Sequence, residues 1–359
     1  MKGYNSALIG CGRIGFFLND DSLRKKPCTH FHGAQSAGIN FNFFVDNNSD
    51  RLETISSSEN ISPESCFSSH NDLFKNHLLD MVTIATWTSS HDSIAISAAE
   101  NGVKTIVLEK PIASDLKKAQ KIIDACKQND TTLFINHERR YDPRYIKAKA
   151  IIEKGTIGEV KTVYASVLTG PYRGSSYLDE GGGSLLHDGT HLIDVLRFFF
   201  GDFASARGSF SRDSRKKGFE DRASAWLKSH SGIDIFLESG GSRKYFTFEI
   251  VISGTEGKLV IGNGYEKLYT NNQSRFYKGF RDLKSIGFPR FSNKNYFTNL
   301  YQDVKKSLGN DFTEISSSGY DGYKALEVIH GIYHSAYNNE KTIKFPLNNA
   351  VNLKKIFDI

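Results

Sequence analysis

The segment Leu8-Ile9-Gly10-Cys11-Gly12-Arg13-Ile14-Gly15 decides the fold of this 359-residue chain. It places the pattern Gly-x-Gly-x-x-Gly after a short apolar run and before a stretch with helical periodicity. In such a turn the first glycine permits a tight bend, the second lets the backbone approach a pyrophosphate, and the third lets helix and strand pack closely. We therefore expect residues 8–15 to join a buried strand to the start of a helix and to bind the phosphates of a dinucleotide.

A carboxylate ends the second predicted strand, where Phe41-Asn42-Phe43-Phe44-Val45-Asp46 closes an apolar run. An acid at this position accepts hydrogen bonds from the adenosine ribose and repels a 2'-phosphate, which favours NAD over NADP. Asp46 lies farther from the glycines than the usual gap of about 20 residues. A polar insertion at 19–29 explains the difference: it interrupts the first helix, and a second helical piece begins near His30. We predict the insertion to be a surface loop, with a substrate-contacting lid as the alternative.

The spacing of apolar residues predicts two domains. Up to residue 135, short apolar runs alternate with helical stretches, as in a doubly wound parallel sheet of the Rossmann type. After Gly155 longer, alternating strands indicate a mostly antiparallel open sheet. The prediction is an α/β chain with a dinucleotide-binding domain at 1–140 and an α+β domain at 141–359, whose last helix could pack back on the first domain. The later strands are expected near 159–169, 203–211, 220–228, 232–239 and 245–253, and the helices near 141–154, 183–200, 293–308 and 320–338.

Composition excludes several classes of protein. The chain has 46 basic and 40 acidic residues without a long basic run, so nucleic acid is not an expected partner. Its four cysteines form no Cys-x-x-Cys pair, which favours a reducing, cytoplasmic setting. We find no apolar stretch of about 18 residues and no export signal, so a membrane partner is not expected either.

Further motifs carry a family likeness over nearly the whole chain. They are Thr83-Ile84-Ala85-Thr86 followed by His91, Leu108-Glu109-Lys110-Pro111, Asn136 to Tyr141, and the glycine-led segment Gly181 to Asp194. In their order and spacing the chain resembles the glucose-fructose oxidoreductase / inositol dehydrogenase / MocA family. The resemblance implies a homodimer or homotetramer with NAD as cofactor. The cofactor-binding residues that it implies are Gly10, Gly12, Arg13, Ile14, Gly15, Asp46, Thr86, Trp87, His91, Glu109, Lys110 and Asn136.

Lys110 is the first candidate catalytic residue, because it ends a predicted strand at the carboxyl edge of the sheet, where ligands of such folds collect. The resemblance implies that it contacts the nicotinamide ribose and the reacting oxygen, where its charge would stabilise a developing alkoxide. Pro111 disfavours helix at the preceding residue and so holds Lys110 extended. The alternative is an exposed lysine before a turn.

Two histidines stand where the family often has one. Alignment of the glycine-led segment puts His187 at the family's usual aspartate position and His191 at its histidine position, with Asp188 one residue away. His187 and His191 share a helical face, whereas Asp188 is rotated by roughly 100°. We predict His191 as the acid/base, because an imidazole exchanges protons near neutral pH, and His187 as an assisting or replacing group. No third ligand accompanies the pair, so no metal site is predicted, and a structural role in the core is the alternative.

Other polar residues are candidates for substrate binding. Arg140 and Tyr141 follow the sixth strand, where the resemblance implies a domain junction, and a structural clamp by the arginines is an equal alternative. Tyr172 and Arg173 precede the glycine-led helix, where an aromatic face would pack on a sugar and a guanidinium would meet a carboxylate or phosphate. The simpler alternative is a loop whose tyrosines lie at the surface. The substrate-binding prediction comprises Arg140, Tyr141, Tyr172, Arg173, His187 and Asp188.

Together these features predict an NAD-dependent oxidoreductase that moves a hydride to or from a hydroxyl or ketone of a sugar, cyclitol or nucleotide sugar. Fold does not fix function, so a dinucleotide-binding regulator without turnover is an alternative that the His187 substitution favours. A redox-assisted glycosidase or lyase is a third option. The enzyme hypothesis requires Lys110 and His191 to act on one small polyol.

Overall fold

The computed structural model describes residues 3–170, 182–212, 218–241, 243–309, 311, 314–348 and 351–357. The chain divides into two compact units. The N-terminal unit comprises Met1–Asp142 and Asn293–Tyr323, and the C-terminal unit comprises Pro143–Ser292 and Lys324–Ile359. The division predicted at residue 140 therefore differs from this one in where it puts 293–323, which return to the unit that carries the glycine motif.

The strands and helices alternate first and then separate along the chain. The strands are β1 (Ser6–Ile9), β2 (Phe43–Val45), β3 (Cys66–Phe67), β4 (Met81–Ile84), β5 (Thr105–Leu108), β6 (Thr132–Ile135), β7 (Val160–Leu168), β8 (Phe203–Ser211), β9 (Arg222–Ser229), β10 (Asp234–Gly240), β11 (Thr247–Gly254), β12 (Gly257–Gly262), β13 (Tyr265–Gln273), β14 (Arg281–Ile286) and β15 (Ile343–Lys344). The α-helices are α1 (His30–Ser36), α2 (Ser49–Glu59), α3 (His70–Asn76), α4 (His91–Glu100), α5 (Leu116–Gln128), α6 (Pro143–Glu153), α7 (Ser184–His187), α8 (Gly189–Phe200), α9 (Tyr296–Leu308), α10 (Gly319–Tyr337) and α11 (Leu353–Phe357).

The N-terminal unit is built on a parallel sheet. Within the described residues this sheet has six strands in the order β3-β2-β1-β4-β5-β6, and each neighbouring pair is parallel. Every residue of β1, β4 and β5 is buried, as expected for strands covered by helices on both faces. The strand order is that of the Rossmann fold, which confirms the predicted fold class of this unit. All carboxyl ends of the strands therefore lie at one edge of the sheet.

The glycine turn does not lead directly into a regular α-helix, but the second helical piece predicted near His30 is confirmed. Residues 13–16 form turns, a 3-10 helix follows at Phe17–Asp20, and α1 starts at His30. The backbone N–H groups of His30 and Phe31 nevertheless donate to the carbonyl oxygens of Ile14 and Gly15, at 3.0 Å in both cases. In an uninterrupted helix the carbonyl of Ile14 would accept from residue 18. His30 thus takes the helical place of residue 18, and the intervening loop displaces it by 12 positions.

The 12 extra positions also explain why Asp46 lies so far from the glycine turn in the sequence. Asp46 follows Gly15 by 31 residues, and removal of the 12 extra positions leaves a gap of 19, close to the usual gap of about 20 residues. The inserted loop ends at Thr29, whose side chain caps α1 by accepting the N–H of His32. Each stretch that flanks the loop therefore behaves as part of one interrupted helix.

Helix α9 belongs to the N-terminal unit because its apolar face is buried there. Phe297, Leu300, Tyr301 and Val304 are each at most 2 % exposed and belong to the same hydrophobic core as residues of β1, β2 and α1. Gly33 of α1 lies so close to α9 that a Cβ atom there would come within 2.6 Å of Phe297. The 3.6-residue spacing of these apolar positions predicted the helix but not the surface on which it packs.

The C-terminal unit contains the second sheet. Among the described residues it has nine strands in the order β14-β13-β12-β11-β7-β10-β9-β8-β15, of which β7 and β10 pair in parallel and the other neighbours are antiparallel. This confirms the predicted, mostly antiparallel sheet. Strands β12 to β14 were missed in the sequence, and β14 has no buried residue that would give an alternating pattern.

In the part of the chain that the structure describes, no helix combines the length and the apolar character needed to cross a membrane.

Candidate functional site

The glycine turn forms a cradle at the carboxyl end of β1. Gly10 has a φ of +92°, and a Cβ atom there would lie 2.6 Å from the backbone of Ala85. A Cβ atom on Gly15 would lie 2.1 Å from the carbonyl oxygen of Gly10. Above Gly12, by contrast, the nearest described atom is Nη1 of Arg51 at 3.7 Å. The two outer glycines are therefore required for packing, whereas the middle one faces space that a pyrophosphate can approach.

Asp46 is fixed at the end of β2 beside this cradle. Its carboxylate is 6 % exposed and accepts the backbone N–H of Cys11 at 2.8 Å and that of Asn48 at 2.9 Å. Nη1 of Arg51 lies 3.4 Å from the same carboxylate. Asp46 therefore joins the glycine turn to the start of α2, at the place where a ribose hydroxyl would be recognised.

Glu109, at the end of β5, is the centre of a buried polar cluster. Its Oε1 atom lies 2.8 Å from Nε2 of His30 and accepts from Nδ2 of Asn136 at 2.6 Å. Its Oε2 atom accepts the backbone N–H of Lys110 at 3.2 Å. Burial alone would raise the pKa of Glu109, but the hydrogen bond and charge of His30, the charge of Lys110 and the amide of Asn136 outweigh it and hold the pKa below its ordinary value. The carboxylate is therefore ionised.

His91 joins the ends of two neighbouring strands. Its Nδ1 atom lies 2.9 Å from the carbonyl oxygen of Pro111, and its Nε2 atom lies 3.2 Å from that of Thr86. Burial lowers the pKa of this ring more than the two carbonyl contacts raise it. A ring with a single N–H donates to one of these two carbonyl oxygens. Trp87, beside it, is 52 % exposed. His91 thus holds the backbone on either side of the carboxyl edge and leaves Trp87 at the surface.

Asn136 adds an acceptor to the same edge. Its side chain is 2 % exposed, and its Nδ2 atom is bonded to Glu109. Its Oδ1 atom is buried and has no hydrogen-bond partner among the described residues. A buried amide oxygen of this kind is costly unless a donor reaches it. A nicotinamide carboxamide is a donor of the required type.

In the C-terminal unit, the two candidate histidines lie on α7 and α8, which are separated only by Asp188 in a helical conformation. His187, His191 and Asp188 are all partly exposed. Nδ1 of His187 lies 3.1 Å from Oδ1 of Asp188. The carboxylate predicted to be rotated away from the histidine face therefore pairs with the first of the two rings.

A buried carboxylate holds the start of this helical segment. Glu220 is 3 % exposed, and its Oε1 atom accepts the N–H of Leu185 at 2.8 Å and the hydroxyl of Ser184 at 3.2 Å. Its Oε2 atom accepts the hydroxyl of Tyr333 at 3.0 Å. A Cβ atom on Gly183 would lie 1.8 Å from Glu220, which gives the glycine-led approach a steric reason. Burial raises the pKa of Glu220 to about 7 despite these hydrogen bonds.

The other predicted substrate-binding residues divide into two groups. The side chain of Arg140 is 8 % exposed. Its guanidinium lies 3.0 Å from the carboxylate of Asp321 and 3.0 Å from the carbonyl oxygen of Ser316. Tyr141 is 2 % exposed, and its carbonyl oxygen accepts from Nδ2 of Asn299. The side chain of Arg140 and the backbone of Tyr141 thus have partners within the N-terminal unit. Tyr172 and Arg173 lie outside the described residues.

Sequence reasoning missed three residues that this site brings together. His30, Tyr301 and Thr83 are each completely buried and form a hydrogen-bonded chain that ends on Glu109. The only sequence signal for His30 was hidden by the inserted loop, because its helical place beside the glycine turn becomes visible only when the extra positions are removed. Within the described ranges, no three His, Cys, Asp or Glu side chains are grouped as metal ligands would be.

Two family models match this chain. Residues 4–137 match the model described as an oxidoreductase family with an NAD-binding Rossmann fold, and residues 145–260 match the GFO/IDH/MocA C-terminal domain. Among curated relatives, the chain is 28% identical to D-apiose dehydrogenase of Rhizobium rhizogenes, covering 94% of this chain and 96% of the relative. It is 24% identical to myo-inositol 2-dehydrogenase of Thermotoga maritima, covering 89% and 92%.

Among solved structures, levoglucosan dehydrogenase in complex with NADH superposes with a TM-score of 0.80 at 19% sequence identity, over 96% of this chain and 100% of that one. This likeness shows a shared fold over that part of the chain. The two family models, which cover the strands of the parallel sheet and most of the second sheet, settle the classification. The chain belongs to the GFO/IDH/MocA family of NAD-binding oxidoreductases.

Proposed function

We propose that this protein is an NAD-dependent dehydrogenase that transfers a hydride to or from a hydroxyl or ketone of a sugar, cyclitol or nucleotide sugar. The observation that carries the proposal is the parallel sheet of the N-terminal unit, which brings the glycine cradle, Asp46 and Glu109-Lys110 to one carboxyl edge. The names of the curated relatives, dehydrogenases of apiose and myo-inositol, support the substrate class.

The described residues fit NAD. The open space above Gly12 suits the pyrophosphate, and the acceptor on Asp46 suits a ribose diol. The unsatisfied oxygen of Asn136 suits the nicotinamide amide. When bound, the cofactor supplies the hydride acceptor or donor. We assign its binding to Gly10, Gly12, Arg13, Ile14, Gly15, Asp46, Thr86, Trp87, His91, Glu109, Lys110 and Asn136.

We assign charge stabilisation to Lys110 and proton transfer to His191. Lys110 follows β5 by two residues, and its backbone N–H is bonded to the ionised Glu109. An ammonium group beside an alcohol oxygen stabilises the negative charge that grows on that oxygen as its proton leaves. His191 removes or returns that proton. In this proposal His187 and its partner Asp188 bind the substrate, and His187 assists in proton transfer.

The remaining substrate contacts are proposed for Arg140, Tyr141, Tyr172 and Arg173. Because the side chain of Arg140 and the backbone of Tyr141 have partners within the N-terminal unit, these residues would hold the carboxyl edge in place as well as contact the substrate. Tyr172 and Arg173 supply the aromatic surface and the positive charge that a sugar with an anionic group requires.

We also propose that the protein is a homodimer or homotetramer. An exposed row of stacked aromatic rings crosses the second sheet, with centroid distances of 5.4 Å between Tyr164 and Phe236 and 6.0 Å between Phe236 and Trp226. These side chains are 55%, 39% and 45% exposed, although each lies on an inner strand of the sheet. A second copy of the same face would cover them.

The four cysteines bear on the compartment. Cys11, Cys28, Cys66 and Cys126 are all free thiols in the structure. Since disulfides form and persist in oxidising compartments, this supports our proposal that the protein works in the cytoplasm.

The experiment that tests the function has two stages. Mass spectrometry of the natively purified protein identifies any retained nucleotide, and a panel of sugars, cyclitols and nucleotide sugars is then screened for formation of NADH. The proposal expects retained NAD or NADH and turnover with at least one member of the panel. Tight binding of NAD without turnover of any member would instead identify a regulator. Net elimination with unchanged total NADH would identify a redox-assisted lyase.

A further inference from the structure

The buried cluster around Glu109 extends away from the carboxyl edge through three residues. Nδ1 of His30 lies 2.8 Å from the hydroxyl of Tyr301, and this hydroxyl lies 2.9 Å from Oγ1 of Thr83. Both nitrogens of the His30 ring are thereby occupied, because its Nε2 atom meets Glu109. His30, Tyr301 and Thr83 are 0% exposed. We call Thr83, Tyr301, His30 and Glu109 the relay.

The donor at the Glu109 end of the relay is defined. Glu109 is ionised and only accepts, so Nε2 of His30 carries a proton and donates a hydrogen bond to the carboxylate. Nδ1 of His30 is hydrogen-bonded to the hydroxyl of Tyr301, which is in turn hydrogen-bonded to the hydroxyl of Thr83. Burial raises the pKa of Tyr301 above its ordinary value, so this hydroxyl keeps its proton. Every polar atom between Thr83 and Glu109 is thus paired.

At its Glu109 end, the relay contacts the backbone N–H of Lys110, the proposed catalytic residue. One oxygen of Glu109 accepts from His30 and Asn136, which leaves the other oxygen to accept the N–H of Lys110. A carboxylate held by two fixed donors on one side cannot rotate without breaking them. The orientation of Glu109 therefore determines where the backbone of Lys110 lies.

The members of the relay come from four different parts of the N-terminal unit. Thr83 lies on β4, His30 on α1 behind the inserted loop, Tyr301 on α9, and Glu109 at the end of β5. Tyr301 also packs edge-on against the ring of His30, at 5.9 Å between centroids, and Phe297 of the same helix does so at 5.1 Å. This gives a reason for the return of α9 to the N-terminal unit: it supplies the hydroxyl and the rings that fix His30.

We infer that His30 and Tyr301 are positioning residues, which act through Glu109 to fix the backbone of Lys110 for the reaction. This inference deepens the proposed function, on which its kinetic consequence rests. Neither residue touches the substrate. Their contribution is that Lys110 is already in place before the substrate binds, which is the kind of preorganisation that makes catalysis sensitive to shifts of about 1 Å.

The test compares His30→Leu, His30→Gln and Tyr301→Phe with His32→Leu. The glutamine variant keeps a side-chain donor for Glu109, whereas the leucine variant removes it. His32 is the matched control because it lies on the same helix and bonds to Thr29, outside the relay. The first readout is hydrogen exchange at the backbone amide of Lys110 in the full-length protein, which needs neither cofactor nor substrate. The second is the separation of kcat from KM for NAD.

The inference predicts faster exchange at Lys110 in His30→Leu than in the wild type or in His32→Leu, with the amides of β1 unchanged. It also predicts a fall in kcat of about 10- to 100-fold with KM for NAD nearly constant, a smaller fall in Tyr301→Phe, and partial recovery in His30→Gln. Unchanged exchange at Lys110 in His30→Leu, or equal losses in His32→Leu, would overturn it. If the wild type turns over no substrate, the proposed function fails, and the exchange experiment alone decides whether the relay fixes Lys110.

Discussion

The backbone N–H of Cys11 donates to Oδ2 of Asp46 at 2.8 Å, so the middle of the glycine turn is bonded to the acid that ends β2. Removal of this carboxylate loosens the turn and also deletes the proposed acceptor for the ribose. We predict that Asp46→Ala weakens NAD binding by about 10-fold or more, the loss expected for a charged acceptor. A fluorescence titration with NAD measures it.

The same variant should change the choice between NAD and NADP. Arg51 lies 3.4 Å from Asp46, and without the acid its guanidinium is available for a 2'-phosphate. The ratio of the two dissociation constants should therefore shift towards NADP. Asp50→Ala, an exposed acid in the first turn of the same helix, is the control. An unaltered NAD affinity and ratio in Asp46→Ala would contradict the role of this acid.

Replacement of the proposed catalytic lysine should separate chemistry from binding. Lys110→Met removes the ammonium group but keeps most of the length of the side chain, so kcat should fall by about 100- to 1,000-fold, as when one donor to a developing oxyanion is lost. The dissociation constant for NAD should change little. Lys117→Met, at an exposed position of α5, provides the comparison. A wild-type kcat in Lys110→Met would remove this lysine from the mechanism.

The two histidines should differ in their response to added imidazole. His191→Ala should lose about 100- to 10,000-fold in kcat, the usual contribution of a positioned acid/base, and free imidazole should restore part of it, since the site is partly exposed. His187→Ala should show a smaller loss, mostly in KM for the substrate. The exposed His230, between β9 and β10, serves as control in His230→Ala. Rescue of His187→Ala but not of His191→Ala would reverse the two assignments.

Glu220 makes the stability of the C-terminal unit depend on pH. Burial raises its pKa to about 7 in the folded chain, from 4.5 in a free side chain. Between these two pH values Glu220 is ionised in the unfolded chain but protonated in the folded one. The carboxyl therefore contributes its full stabilising effect below pH 4.5, and about 3 kcal/mol of unfolding free energy is lost as the pH rises from 4.5 to 7. Glu220→Gln cannot ionise and lacks this change.

Urea denaturation between pH 4.5 and 8 measures the difference in unfolding free energy between Glu220→Gln and the wild type. We expect the unfolding free energy of the variant to rise relative to that of the wild type as the pH increases from 4.5 to 7. Above pH 7 the difference should stay constant. A constant offset from the lost acceptor does not affect this comparison, because it is the same at every pH. Glu153→Gln at an exposed position should show no pH dependence. A flat difference for Glu220→Gln would contradict the raised pKa.

Shortening the inserted loop tests whether the residues on either side of it belong to one interrupted helix. Deletion of residues 18–29 joins Phe17 to His30, and the N–H of His30 would then meet the carbonyl of Ile14 four residues earlier, as in a regular helix. We predict a folded variant whose NAD affinity stays within about threefold of the wild type, since surface loops tolerate shortening. Loss of NAD binding would show that the loop itself contributes to the cofactor site.

The fold followed from the sequence wherever a local pattern reports the local environment. Buried strands such as β4 and β5 read as unbroken apolar runs, and the glycine turn marks the end of β1. The helical piece near His30 was predictable from its spacing, but the hydrogen bond between residues 14 and 30 across the loop was not. The surface on which α9 packs could not be predicted either, because an apolar helix face does not reveal which surface covers it.

The candidate site was predictable only in part, for the same reason. Asp46 and Lys110 stand out because each lies within two residues of the end of an apolar strand. His30 and Tyr301 carry no such mark: they are 271 positions apart, and only their 2.8 Å contact shows that they act together. Likewise, the pairing of His187 with Asp188 depends on side-chain rotation that helical spacing does not determine.

The measurement that tests the central claim most directly follows one hydrogen atom. With a substrate from the panel carrying deuterium on its carbinol carbon, mass spectrometry of the resulting NADH reports whether that atom reaches the nicotinamide ring. In the wild type, each NADH formed should carry one deuterium, and Lys110→Met and His191→Ala should form far less deuterated NADH. Conversion of the substrate without deuterium in NADH, or wild-type amounts of deuterated NADH in both variants, would contradict the proposed mechanism.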